Sequence, residues 1–229
     1  MTVRAQKVWE EVDTVAGYIT YINLVRPLIG DKTVVSTGMR QEIDRCREVV
    51  KLALDGHSVA LVSSGDAGIY GMAGILIECL QEAGCLDLPL EIIPGVTAAN
   101  AAASQLGAPL MHDFAVISLS DLLTPLEVIL KRARLAAEGD FVLAIYNPKS
   151  KGRQGQIEEI RKLLLEIRSP ETPVGIVREA LRGELPQVTI STLEEFTRLP
   201  IDMLTTVIIG SSQTRVIGSY MVTPRGYIL

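Results

Sequence analysis

Short aliphatic runs alternate with helix-period stretches along most of this chain, and that alternation restricts the fold more than any other feature. Ser58 to Ser63 is a continuous apolar run of the kind a parallel strand covered on both faces requires. A helical pattern precedes it from about Gln41 to Leu54, with Ile43, Val49, Val50 and Leu54 on one stripe and Gly56 beyond the end. Another helix follows from about Gly71 to Ala83, then a strand over Leu90–Ile93 stopped by Pro94-Gly95, then an alanine-rich helix over about Thr97–Leu106. An opening helix over Thr2–Val12 and a β-branched stretch at Thr33–Val35 come before these. Strands and helices at such short spacing make an α/β fold with a mostly parallel sheet.

The pattern restarts after Pro109. Strands are predicted at Ala115–Leu119, Phe141–Tyr146, Val174–Val177, Gln187–Ile190, Thr206–Ile209 and Tyr220–Thr223. Helices are predicted at Pro125–Ala137 and Gln156–Ile167. Ser191-Thr192-Leu193-Glu194 has the form of a capping box, which predicts a further helix start. The runs after about residue 185 suit antiparallel members of a mixed sheet. A boundary near Gly107–His112 divides the 229 residues into lobes 1–109 and 110–229.

With 22 basic and 27 acidic residues the net charge is −5, which disfavours a nucleic-acid partner. No apolar run reaches the roughly 20 residues a bilayer span needs, and the first residues lack a signal-peptide core. Cys46, Cys79 and Cys85 are an odd, unpatterned set that suits a reducing cytoplasm. With only His57 and His112 besides, a metal site is not expected.

Three segments carry candidate chemistry. Gly65, Gly68, Gly71 and Gly74 recur every third residue after the Ser58–Ser63 strand, where open α/β sheets bind ligands. Glycine there lets backbone approach a ligand closely, and Asp66 can accept from a ribose or an amino group. The same residues also make an ordinary helix entry with Asp66 as its cap. Neither G-x-G-x-x-G nor G-x-x-x-x-G-K-[ST] occurs, which disfavours phosphate-cradling nucleotide sites. Pro94-Gly95-Val96-Thr97-Ala98 feeds a helix start almost free of bulk, with Thr97 placed to cap it; close helix packing is the plainer use. Tyr146-Asn147-Pro148-Lys149-Ser150-Lys151-Gly152-Arg153 ends a strand with three cations in five residues, able to pair with carboxylates or simply to be solvated. His112 beside Asp113, and Asp121, are candidates for moving a proton.

In order, these segments resemble the tetrapyrrole (corrin/porphyrin) methylase family over essentially the whole chain. Gly65-Asp66-Ala67 is similar to the family's Gly-Asp-Pro turn, with Ala in place of Pro. Pro94 to Ala98, Tyr146-Asn147 and Thr205-Thr206-Val207 match three further motifs. Ser36-Thr37-Gly38-Met39-Arg40, Ser64 to Gly74, and Tyr146 to Lys151 look most like members that methylate carbon 17 of precorrin-3B or cobalt-precorrin-3. The resemblance implies two α/β lobes with a cleft between them, a homodimer, and methyl transfer from S-adenosylmethionine in cobalamin biosynthesis, linked to ring contraction. It implies cofactor contacts at Gly65, Asp66, Ile69, Thr97, Ala98, Asn147 and Ala180. Arg40, Tyr70, Lys149, Lys151 and Arg153 are expected to meet the acidic macrocycle. Met1 to Ala5 is similar to a helix that, in the family, follows an opening strand and glycine loop, so those two features are expected to be missing here.

Overall fold

The computed structural model describes residues 1–38, 41–150, 152–182 and 187–228. They divide into two compact units, Met1–Thr97 and Ala98–Leu229. This division falls earlier than the sequence pattern places it, because the alanine-rich helix packs on the strands that follow it in the chain.

In the first unit, α1 (Val3–Glu11) is capped by the Thr2 hydroxyl, which accepts from Ala5 N. It leads into β1 (Thr14–Tyr18), then α2 (Ile19–Ile29), β2 (Thr33–Thr37), α3 (Glu42–Leu54), β3 (Val59–Val62) and α4 (Ala73–Glu82). The strands form a parallel sheet in the order β2-β1-β3. Its central strand is β1, whose residues Thr14 to Gly17 are buried. The sequence pattern misses β1 and α2. Ala16 and Gly17 interrupt the aliphatic signal, Tyr18 runs from strand into helix without a turn, and Pro27 sits within α2.

Leu90–Ile93, predicted as a strand, pairs with no strand among the described residues. Its contacts run instead to α1: Arg4 Nε donates to Glu91 at 2.8 Å, and the Thr2 hydroxyl to Pro94 O at 3.4 Å. The stripe predicted for α3 is only half right. Val49 and Val50 are buried, but Ile43 and Leu54 are exposed, and Cys46 and Arg45 take their places inside. Trp9 packs with Val12 against Val15, Ile22, Val25 and Ile29. All three cysteines are free and buried, and burial pushes the Cys46 thiol up to about 12.

The second unit begins with α5 (Ala98–Leu106) and the short β4 (Gly107–Ala108). There follow β5 (Phe114–Ser118), α6 (Leu126–Glu138), β6 (Val142–Tyr146), α7 (Gln156–Leu165), β7 (Pro173–Arg178), β8 (Gln187–Thr192), β9 (Thr205–Ile209), β10 (Arg215–Ile217) and β11 (Tyr220–Val222). A mixed five-stranded sheet runs β5-β6-β9-β7-β8, parallel between β5 and β6 and antiparallel elsewhere. The hairpin β10–β11 pairs in parallel with β4. The capping-box pattern at Ser191 starts no α-helix. Strand β8 runs through Thr192, and the helical propensity survives only as a 3-10 turn at Phe196–Arg198.

Residues alternate across the large sheet. Leu143, Ile145, Val207 and Ile209 face α6 and α7, with Ile129, Ala133, Ile157, Ile160 and Leu164 completing that core. Val142, Val177 and Ile208 face α5 on the other side. Ala99, Ala101, Ala102 and Ala103 are buried, so the small residues of α5 serve close packing. The approach is closest at Gly175, where an added Cβ would lie 2.3 Å from Leu106 Cδ1. Gly175→Ala is expected to cost about 1–3 kcal/mol by overpacking, seen as a lower urea midpoint with an unchanged m value. No helix among the described residues is long and apolar enough to cross a membrane.

Candidate functional site

In the first unit the glycine turn leaves the carboxyl end of the parallel strand β3, and the Pro94-Gly95 turn comes up to it from outside the sheet. After β3, Gly65 takes a φ of +75° and Asp66 turns back into the loop. Its Oδ1 accepts from Gly68 N at 2.8 Å and its Oδ2 from Gly95 N at 2.9 Å. The carboxylate thus fastens the glycine turn to the Pro94-Gly95 turn, 29 residues away in sequence. The backbone donors of Gly95 and then Gly68 hold the Asp66 carboxyl below its usual value near 3.8. A Cβ on Gly95 would sit 1.9 Å from Gly65 O, and one on Gly71 2.4 Å from Ala67 O, so both positions admit only glycine. The Ser63 hydroxyl accepts from Met72 N at 3.1 Å and closes the loop. What remains outward is the backbone of Gly65 and Gly68 with the side chains of Ile69, Tyr70 and Val96, all exposed. Exposed peptide groups flanked by apolar side chains can hydrogen-bond to and pack against a small ligand.

Sequence reasoning did not find Arg45. It is buried at 3% exposure on α3, where its Nε donates to Thr37 Oγ1 at 2.7 Å and its Nη2 to Gly38 O at 3.0 Å. Its Nη1 lies 3.8 Å from Met72 Sδ, so one guanidinium joins the end of β2 to the glycine turn. Its only sequence signal is its place on the inward stripe of α3. Arg40 lies outside the described residues.

In the second unit β5, β6 and β7 all point the same way, and their carboxyl ends carry the second group. Asn147, just past β6, has a φ of +51°. Its Nδ2 donates to Ser118 Oγ, at the end of β5, at 2.9 Å. The Tyr146 hydroxyl accepts from Ala99 N at 2.6 Å, so a sheet residue supplies a cap for the start of α5, beside buried Thr97. Asp121 Oδ2 accepts from Gln156 Nε2 at 2.8 Å. Half-buried Ala180, past β7, lies between Glu179 at a φ of +53° and Leu181 at +56°. Among the described residues five non-glycine positions have positive φ, and four of them, Tyr70, Asn147, Glu179 and Leu181, lie on these turns. Such strain of about 1–3 kcal/mol per residue tends to collect at functional sites.

Other expected residues are placed differently. His112 precedes β5 whereas Asn147 follows the parallel strand β6, so the two lie at opposite ends of the sheet. His112 is exposed, and its Nδ1 accepts from Asp113 N at 2.8 Å. Arg153 is turned inward, with Nη2 donating to Asn147 O at 2.9 Å. Lys149 is half-buried and forms no ion pair among the described residues, and Lys151 lies outside them.

A family model for tetrapyrrole (corrin/porphyrin) methylases matches residues 1–197. The chain belongs to the tetrapyrrole methylase family. It is 49% identical over 229 residues to the "Probable cobalt-factor III C(17)-methyltransferase" of Salmonella typhimurium strain LT2, covering all of this chain and 94% of that one. It is 40% identical to the "Precorrin-3B C(17)-methyltransferase" of a Sinorhizobium species, covering 92% of this chain and 85% of the relative. Among solved structures, the methyltransferase CobJ superposes with a TM-score of 0.91 at 35% identity, covering 98% of this chain and 93% of that one. The chain is therefore a methyltransferase by family, with the α/β tetrapyrrole methylase fold.

Asp66→Asn keeps the shape but leaves a single acceptor oxygen for two backbone donors. It is expected to cost about 1–3 kcal/mol at pH 7 by chemical denaturation. Because the folded value of Asp66 lies below 3.8, its contribution is complete above that pH. It is lost as the pH falls through the depressed folded value, so the gap between wild type and variant narrows only in that acid range. Gly95→Ala, which cannot be accommodated beside Gly65 O, is expected to lower the urea midpoint of unfolding.

Proposed function

We propose that this protein methylates carbon 17 of a cobalt-factor III or precorrin-3B type tetrapyrrole on the route to the corrin ring, with S-adenosylmethionine as methyl donor. The observation that carries the reading is the 49% identity, over the whole chain, with a relative bearing the cobalt-factor III carbon-17 name. Since the precorrin-3B relative reported above stands at 40%, the cobalt-bearing substrate is the preferred form.

S-adenosylmethionine, when bound, supplies an electrophilic methyl group whose transfer leaves a neutral thioether. The exposed backbone of Gly65 and Gly68 and the Ile69 side chain are assigned to hold it in the first unit. Thr97, with Ala98, Asn147 and Ala180 of the second unit, is assigned to the same ligand. These residues bind, orient and exclude water. Alignment of this kind can contribute about 7–11 kcal/mol, so no covalent nucleophile is required. Lys149 is assigned to a substrate carboxylate. Asp121, at the same end of the sheet as Asn147, is assigned to accept the proton that leaves the ring after the new carbon–carbon bond forms. Tyr70 is assigned to the face of the macrocycle. Ring contraction linked to this methylation, cytoplasmic location and a homodimer belong to the same reading.

Incubation with S-adenosylmethionine and cobalt-factor III, then with precorrin-3B, tests it. Mass spectrometry and NMR should show one added methyl at carbon 17, with the cobalt substrate turned over faster. A methyl at another ring carbon, or binding of S-adenosylhomocysteine without turnover, would overturn it. Lys149→Met should raise the tetrapyrrole KM up to roughly fivefold, the scale of one solvent-touched ion pair, and leave kcat nearly unchanged.

A further inference from the structure

In the cation run after β6, Arg153 is turned inward. Arg153 Nη2 donates to the backbone carbonyl of Asn147 at 2.9 Å, and Nη1 makes a long contact to Ser120 Oγ at 3.5 Å. Its Nε is buried without a hydrogen-bond partner among the described residues. Ser150 N donates to Arg153 O at 2.8 Å and Arg153 N to Ser150 O at 3.2 Å, an isolated antiparallel bridge that sets Arg153 beside the end of β6.

Two costs coincide here. A buried N–H without a partner and a left-handed asparagine are each unfavourable. A solvated basic loop would carry neither. Both are accounted for if the loop must present Asn147 in one conformation. The two flexible ends of that residue are fixed separately, its carbonyl by Arg153 and its Nδ2 by Ser118, which also accepts from Ser120 N at 3.2 Å. The backbone N–H and the carboxamide oxygen of Asn147 are left at the carboxyl end of β6.

We infer that Arg153 is a positioning residue for the methyl donor: its guanidinium holds the Asn147 carbonyl and so keeps Asn147 in the left-handed conformation that meets the donor. It does not pair with substrate carboxylates. This inference rests on the proposed methyl-transfer function and adds to it the part that recognises the donor.

The test uses the full chain. S-adenosylhomocysteine affinity is measured by calorimetry, and the KM for cobalt-factor III by methyl-transfer assay. Arg153→Met should weaken S-adenosylhomocysteine binding roughly tenfold and change the tetrapyrrole KM less than twofold. Arg153→Lys should recover only part of the loss, since an ammonium cannot hold both oxygens with the planar fork of arginine. It also supplies the reading if the methionine variant does not fold. In an Asn147→Gly background, where positive φ carries no strain, Arg153→Met should cost less than a further twofold, the coupling expected of two residues acting as one unit. Unchanged S-adenosylhomocysteine affinity with a lower unfolding midpoint would make Arg153 a structural staple only and overturn the inference. A tenfold higher tetrapyrrole KM with unchanged S-adenosylhomocysteine affinity would make it a substrate contact and overturn it equally. Wild-type protein that does not bind S-adenosylhomocysteine would overturn the functional reading itself, an outcome distinct from both.

Discussion

The Asp66 carboxylate accepts from Gly68 at one oxygen and from Gly95 at the other, and the exposed glycine turns of the first unit are organised around that pair of bonds. Without it, two glycine-bearing turns would have to hold their shape by backbone preference alone, which glycine does not provide. With it, the Gly65 carbonyl and the Gly95 α-carbon come so close that no side chain fits between them. Arg45 extends the same logic to the end of β2, where a buried cation binds a hydroxyl, a carbonyl and a thioether sulfur. The turns at the ends of β2 and β3 are therefore braced by charged side chains that are already engaged.

The second unit reaches a similar end by a different route. Strands β6 and β7 are followed by residues held at positive φ, and these are secured by neighbours: Asn147 by Arg153 and Ser118, and the Glu179 stretch by backbone bonds to Leu204 and Arg182. Tyr146 adds a tertiary cap, placing its hydroxyl on the Ala99 amide at the start of α5. A phenol on a sheet and an alanine helix thus form one structural element.

Much of this architecture was legible from residue patterns. The long aliphatic runs of β6, β7 and β9 are buried on both faces, and such runs cannot be hidden in a sequence. The central strand β1 was not legible, because Ala16 and Gly17 trade apolar bulk for closeness to their neighbours; a Cβ on Gly17 would already lie 3.0 Å from Ile22. Leu90–Ile93 has strand composition, but a strand is a pair, and no composition records whether a partner is present. At the site, the glycines and Asp66 were visible as a motif, yet the role of Asp66 as a brace emerged only from its bonds. Arg153 was legible as a charge, but its bond to the Asn147 carbonyl was not, since sequence does not show which way a guanidinium turns. His112 was placed by its chemistry alone, and the direction of β5 sets it at the other end of the sheet.

Trp9 is the chain's only tryptophan, and it packs in the first unit against β1 and α2. Its emission therefore follows the loosening of that unit alone, while far-ultraviolet dichroism sums both. Any separation between the two unfolding curves measures how independently the halves melt, without a label being introduced into either.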